Sequence, residues 1–380
     1  MSTAPTWRPA RAPSSLRQLV ENRAILVCCG SGGVGKTTAA GALALQGARL
    51  GRRTCVVTID PAKRLADALG LASLTNDPGR IEGEWDRGGG ELWALMLDTK
   101  TTFDDLVGRY AASEQQAQQI LSNGLYRNIA GALSGTQEYM AMEKLYELHH
   151  EGRFDLIVVD TPPTRNALDF LDAPQRLTRF LDNKVFKMLM MPARTYLKVV
   201  GVATQAFLRT VGKVVGSDVV DDAIGFFTAF EGMEKGFRDR AQSVLDLLSE
   251  AETAFVVVAA PRRDAIEEAM FFASRLHEAG IEVEALVVNR VHPRYGPVPS
   301  VLTGPAALPG ADPKTEALRL LVGNLRDLDG IAEREERYLL SLTRQVAPAP
   351  VVRVPMLDDD VHDLDGLGRV GAFLLAEPAA

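Results

Sequence analysis

Gly30-Ser31-Gly32-Gly33-Val34-Gly35-Lys36-Thr37 fits the pattern G-x-x-x-x-G-K-[ST]. It stands between an apolar run, Ala24 to Cys29, and a helical pattern, TTAAGALALQGARL, which is the context that a phosphate-binding loop requires. Glycines let the backbone curl so that successive N–H groups point at phosphate oxygens. The start of the following helix adds partial positive charge. In such a loop Lys36 reaches the β- and γ-phosphates, and the Thr37 hydroxyl, with Thr38 beside it, is placed to ligate Mg2+. A nucleotide's phosphates and Mg2+ are therefore the expected ligands.

Three further groups end apolar runs, where open α/β sheets gather their ligands. Asp60 follows TCVVTI and opens DPAKRLADAL. A carboxylate there can face the γ-phosphate and orient a water for in-line attack. Taken alone, Asp60-Pro61 is equally an N-cap followed by Pro at the first helical position. Asp160 ends LIVVD, the position of an acid that holds Mg2+ directly or through water, and the stiff, polar Thr161-Pro162-Pro163-Thr164 follows as a candidate switch loop. Asn289 and Arg290 end VVNR. An Asn amide pairs a donor with an acceptor and can read an adenine edge, although Asn after a strand is also a common turn residue.

The elements that must carry these groups follow from the apolar pattern. Seven runs read as buried parallel strands: Ala24 to Cys29, Thr54 to Ile59, Leu92 to Leu97, Leu156 to Val159, Phe255 to Ala259, Ala285 to Val288 and Val351 to Val354. Helical patterns separate most of them, so the expected fold class is α/β, a mostly parallel sheet with helices on both faces. Two intervals, 99–152 and 173–250, are too long for simple crossovers and read as helical insertions that build a helical subdomain. The segment 291–313 is rich in Pro and Gly and reads as a long loop, and Thr315 to Gln345 as a charged amphipathic helix or helix pair. Residues 1–20 read as a flexible tail, and 21–375 as one catalytic domain with no second phosphate loop.

Composition narrows the class. The chain has 380 residues, 42 Lys+Arg against 49 Asp+Glu, and a formal net charge of −7, which is no footprint for nucleic acid. No uninterrupted apolar run reaches the ~18 residues of a spanning helix, so stable membrane insertion is not expected. Cys28, Cys29 and Cys55 all lie in apolar runs, with no CxxC spacing and no Cys/His cluster. They read as buried thiols of a cytoplasmic protein, and no zinc site is expected.

With these four groups in order, the chain resembles the ArsA-type ATPases, the family of the arsenite-pump ATPase and of the GET-pathway ATPase that targets tail-anchored membrane proteins. CGSGGVGKTT is similar to the family's deviant Walker A loop, TIDPAKRLADAL to its switch I, and IVVDTPPTRNALDFL to its switch II. SGTQEYMAMEKLYEL, VVAAPRRDAIEEA and VPMLDDDVHDLDGL resemble further family segments. The resemblance implies a P-loop NTPase sheet and an ATP-hydrolysing enzyme. Asp60 activates the attacking water, and Lys36 serves the phosphates. Thr37 and Asp160 hold Mg2+. Asn289, with Arg290 beside it, recognises adenine, and the loop from Pro355 packs nearby. Hydrolysis drives a face-to-face dimer whose motion reaches the helical subdomain.

The departures shape the rest of the reading. The family signature has Lys where this chain has Ser31, and that Lys crosses to the partner's nucleotide. A paralogous ATPase carrying the Lys would complete this chain's site in a heterodimer, unless Lys63 or Arg64 supplies the charge within a homodimer. The alternative is a catalytically weak regulatory subunit. Arg165-Asn166-Ala167 replaces Gly-His-Thr in switch II, and Arg262 stands where the targeting ATPases have Glu. The zinc-binding and metalloid-binding cysteines of the family have no counterpart. The Met-rich stretch after Phe186 offers Met188, Met190, Met191, Phe207 and Phe227 as a site for a hydrophobic client segment, or as the core of the helical subdomain.

Overall fold

The computed structural model describes residues 15–60, 64–124, 126, 136–162, 173, 222, 225, 226, 229, 230, 232–296 and 313–376. In chain order the described strands are β1 (Ile25–Cys29), β2 (Arg53–Thr58), β3 (Gly79–Ile81), β4 (Glu91–Met96), β5 (Leu156–Asp160), β6 (Thr253–Ala259), β7 (Val283–Val291) and β8 (Val351–Pro355). They form one sheet in the order β3-β4-β2-β5-β1-β6-β7-β8. Every neighbouring pair is parallel except β3 with β4. The central strands β1, β5 and β6 are buried at every residue, as their unbroken apolar runs require.

Strand β3 departs from the seven-strand expectation. It has three residues, of which only Ile81 is buried, so neither an apolar run nor an alternation marks it in the sequence. Its place at the sheet edge comes from antiparallel pairing of Ile81 with Leu92.

Helices cover both faces. One face carries α1 (Leu16–Asn22), α2 (Lys36–Arg49) and α3 (Arg64–Ala68). The other carries α4 (Thr99–Tyr110), α5 (Glu114–Leu121), α6 (Thr136–His150), α7 (Glu234–Ser249), α8 (Arg263–Glu278) and α9 (Pro313–Gln345). Finally α10 (Leu364–Leu374) returns to the first face and packs on α2. A tail reaching residue 20 is corrected by α1. The Ser15 hydroxyl accepts from the Gln18 N–H as an N-cap, and Leu16, Leu19 and Val20 are buried at the spacing of one helix face.

The two insertions meet in one aromatic cluster. Phe103 of α4 stacks on Tyr126 at 5.4 Å between centroids, Phe226 stacks on Phe230, and Phe237 of α7 lies 5.1 Å from Phe230 and 5.2 Å from Tyr110. This cluster is continuous with the apolar face of the sheet beneath it, so helical layer and sheet share a core. The Thr315 to Gln345 pattern is one helix of 33 residues, not a pair. No helix among the described residues is long and apolar enough to cross a membrane. Met188, Met190, Met191, Phe207 and Phe227, Lys63 and the segment Arg165 to Ala167 lie outside the described residues, as does 297–312 of the expected Pro/Gly-rich loop.

Candidate nucleotide site

The loop between β1 and α2 is shaped by close approach. At Gly30, φ is +153° and a Cβ would stand 2.0 Å from the Val258 carbonyl oxygen of β6. At Gly35, the residue before α2, φ is +93° and a Cβ would stand 2.1 Å from Asn289 Nδ2. Both positions therefore need glycine. Lys36 is buried, and its Nζ donates to the Ser31 carbonyl oxygen at 2.8 Å. Burial lowers the Lys36 pKa, and the charge of Asp160 opposes that shift most strongly. The Ser31 hydroxyl is buried and has no hydrogen-bond partner.

Asp160 is fully buried at the end of β5, level with Cys28 of β1 and Thr58 of β2. Its Oδ2 accepts from the Thr58 hydroxyl at 3.0 Å, whereas Oδ1 has no hydrogen-bond partner. Burial raises its pKa to about 6, against the hydroxyls of Thr37 and Thr58 and the charge of Lys36. A buried, unpaired carboxylate oxygen beside the Thr37 hydroxyl is a donor set of hard oxygens, which suits Mg2+. The next residue, Thr161, is anchored by its own hydroxyl, which donates to the Cys28 carbonyl oxygen at 2.8 Å.

Asp60 follows β2. Its N–H donates to the Thr58 hydroxyl at 3.3 Å, and Arg64 of α3 stands 3.6 Å from its carboxylate. On the other side of the loop, Asn289 Nδ2 donates to the Val34 carbonyl oxygen at 2.9 Å, and Asn289 Oδ1 accepts from the Arg290 N–H at 3.0 Å. Arg290 has φ of +61°, unusual for a side chain of its size, and it falls where the β7–β8 register shifts. From there its guanidinium donates to the Gly33 carbonyl oxygen at 3.2 Å. The pair clamps the phosphate loop from β7. The two Asn289 bonds use one of the two Nδ2 donors and one lone pair of Oδ1, so the amide keeps one donor and one acceptor position for a further ligand.

A cavity of about 840 Å³ opens among these groups. Gly33, Gly35, Lys36, Thr37 and Thr38 line one side. Asp60, Asn289, Arg290 and Pro355 line the rest of the expected wall. Gly30, Ser31, Gly32, Val34 and Asp160 do not face it directly; Asp160 sits behind Lys36 and Thr37. Asp67, Asp359, Asp360 and His362 also line the cavity; the resemblance placed their segments, TIDPAKRLADAL and VPMLDDDVHDLDGL, around the nucleotide without singling out these residues. The run DDDVHD just after the last strand was the available signal for the last three. Sequence reasoning missed Thr58, whose role depends on contact with a neighbouring strand.

A phosphate loop and a strand-end carboxylate thus meet at one cavity, with a buried acid behind it. Residues 23–296 match the family of anion-transporting ATPases, the ArsA ATPases. The chain belongs to that family. ATP hydrolysis is accordingly its reaction. Among its relatives, a protein of Aquifex aeolicus named as a putative arsenical pump-driving ATPase is 23% identical over 362 residues, 93% of this chain and 79% of the relative. The ATPase GET3 of Malassezia globosa is 26% identical over 293 residues, 77% of this chain and 80% of the relative. An uncharacterized protein of Streptomyces coelicolor is 30% identical over 288 residues, 74% of this chain and 66% of the relative.

Within this ArsA-family chain the cysteines are free and buried. Burial pushes Cys29 up to about 12 and raises Cys28 and Cys55 as well, so the thiols stay protonated at neutral pH.

Proposed function

We propose that this ATPase is a Mg2+-dependent, dimeric nucleotide switch of the ArsA/GET type that couples hydrolysis to its helical layer. The observation that carries the reading is Asp160. It is a fully buried carboxylate with an unpaired oxygen, held against Lys36 and Thr37 behind the phosphate cavity. ATP binds with its phosphates in the loop Gly30 to Thr37, under Lys36. Thr37 and Asp160 would hold Mg2+, which would supply positive charge to the phosphates when bound. Asp60 orients the attacking water and accepts its proton as attack proceeds. Asn289, Arg290 and Pro355 form the end of the site nearer the base. The helical layer then presents a surface to a hydrophobic client segment or a partner protein in the cytoplasm.

Ser31 favours a second reading, a catalytically weak subunit whose paralogous partner carries the missing Lys. A lost cationic donor to a transferring phosphoryl group resembles a lost arginine finger, on the order of 10³ or more in rate. Turnover of the chain alone, with a Lys-bearing ArsA-type ATPase, and as Asp60→Asn separates the two. The switch reading expects robust homodimeric turnover that Asp60→Asn abolishes. Turnover that appears only on adding the partner establishes the regulatory subunit instead. Turnover unaffected by Asp60→Asn overturns the assignment of that carboxylate.

A further inference from the structure

The peptide unit that joins Ile59 to Asp60 is held at both of its polar ends. Its N–H, that of Asp60, donates to the Thr58 hydroxyl at 3.3 Å. Its carbonyl, that of Ile59, accepts from Gln137 Nε2 at 2.9 Å. The unit before it is fixed too, because the Ile59 N–H donates to the Asp160 carbonyl oxygen at 3.1 Å. Thr58 and Asp160 belong to the sheet. Gln137 does not. It lies in the first turn of α6, on the helical layer, and reaches the catalytic loop from 78 residues away.

Orientation of this peptide plane sets the direction in which Asp60 leaves the backbone. A peptide plane gripped at N–H and C=O cannot rotate without breaking a hydrogen bond, and one gripped at a single end can. The grip on the carbonyl is only as steady as α6. Six residues further along α6, the buried carboxylate of Glu143 accepts from Arg240 of α7 through both Nε, at 2.7 Å, and a terminal nitrogen, at 2.6 Å. The Arg240 guanidinium also lies 3.9 Å over the Tyr146 ring of α6. A shift of α6 against α7 therefore moves Gln137 and, through Ile59, the Asp60 carboxylate. Gln137 does not line the nucleotide cavity, so such a shift acts on the carboxylate and not on the bound nucleotide.

We infer that Gln137 is a positioning residue for ATP hydrolysis: its amide, carried on α6, clamps the Ile59–Asp60 peptide and lets the helical layer set the aim of Asp60. The inference rests on the reading of Asp60 as the group that orients water.

The test uses the full chain, with hydrolysis followed as kcat and KM and with ADP and ADP–aluminium fluoride affinities measured at equilibrium. Gln137→Glu keeps the shape of the side chain and removes the donor; Gln137→Ala removes both. Each is expected to lower kcat about tenfold or more, the cost of misplacing a reacting group, and to leave KM and ADP affinity within about twofold. Affinity for ADP–aluminium fluoride, which mimics the transferring phosphoryl group with its water in line, falls with kcat. Combined with Asp60→Asn, neither variant lowers the rate further. Wild-type kcat in both variants overturns the inference, as does a parallel fall in ADP affinity or a loss that multiplies with that of Asp60→Asn. If Asp60→Asn alone turns over like the wild type, the reading of Asp60 fails and this inference with it. If Asp60→Asn is inactive and Gln137→Glu is not impaired, the role of Gln137 alone fails.

Discussion

The Thr58 hydroxyl donates to Asp160 Oδ2 at 3.0 Å, and its oxygen accepts from the Asp60 N–H at 3.3 Å. One side chain on β2 thereby ties the acid assigned to the metal to the backbone of Asp60, whose carboxylate is assigned to water. Thr58→Val keeps the volume and removes both bonds, taking the Thr58 donor from Asp160 Oδ2 in a buried site. Destabilisation of about 1–3 kcal/mol is expected in urea unfolding, with a fall in kcat, and Thr58→Ser should recover most of both.

Asp160→Asn separates stability from ligand binding. Nucleotide-free wild-type protein carries a buried carboxylate whose pKa rises from 3.8 to about 6 through desolvation. A raised native pKa means that the folded state binds this proton more tightly than the unfolded state. The contribution is therefore present below the unfolded value and is lost as pH rises through about 6. In metal-free buffer the wild type should gain stability relative to Asp160→Asn as pH falls from about 6, while at pH 7 the variant is no less stable than the wild type and has lost Mg2+-dependent nucleotide binding. Urea midpoints measured across that range check the sign.

Arg290 combines a backbone cost with a contact. Its φ of +61° disfavours any side chain, while its guanidinium grips the Gly33 carbonyl oxygen at 3.2 Å. Arg290→Ala and Arg290→Gly both lose the grip, and both should bind ATP more weakly in equilibrium titrations. They should differ in stability, with Arg290→Gly the more stable by about 1 kcal/mol in denaturant unfolding, because glycine adopts positive φ without the Cβ clash.

Arg240 neutralises a carboxylate that is 1% exposed. Arg240→Ala leaves the buried Glu143 with Arg109, 3.9 Å away, as its remaining cation, and should cost less than the about 3–5 kcal/mol of breaking a buried pair whose charge is left with no partner. Arg240→Ala combined with Glu143→Leu should recover part of that loss, measured by thermal or urea unfolding.

Much of the frame is legible in residue types alone. The seven expected runs coincide with strands because residues buried on both faces of a parallel sheet must be apolar without interruption, as in AILVCC and FVVVA. The phosphate loop is legible for a similar reason: Gly30 and Gly35 answer steric demands that no other residue meets, so the demand is written in residue type. Strand β3 is not legible, since three residues with one buried position carry no periodic signal. The start of α1 is obscured by the Pro- and Ser-rich sequence before it, although Leu16, Leu19 and Val20 mark its buried face.

The sequence by itself determined that the chain has one phosphate loop at the start of α2, and that acids stand at the ends of two strands. Tertiary structure alone decided what Asn289, Arg290, Thr58 and Gln137 do. Asn289 grips Val34 from 255 positions away, and Gln137 grips Ile59 from 78. A hydrogen bond is decided within about 3 Å, and which donor comes that close to which acceptor depends on strand order and on the placement of α6 over the sheet. A local motif records what the backbone needs, whereas a distant clamp appears only once β7 and α6 are in place.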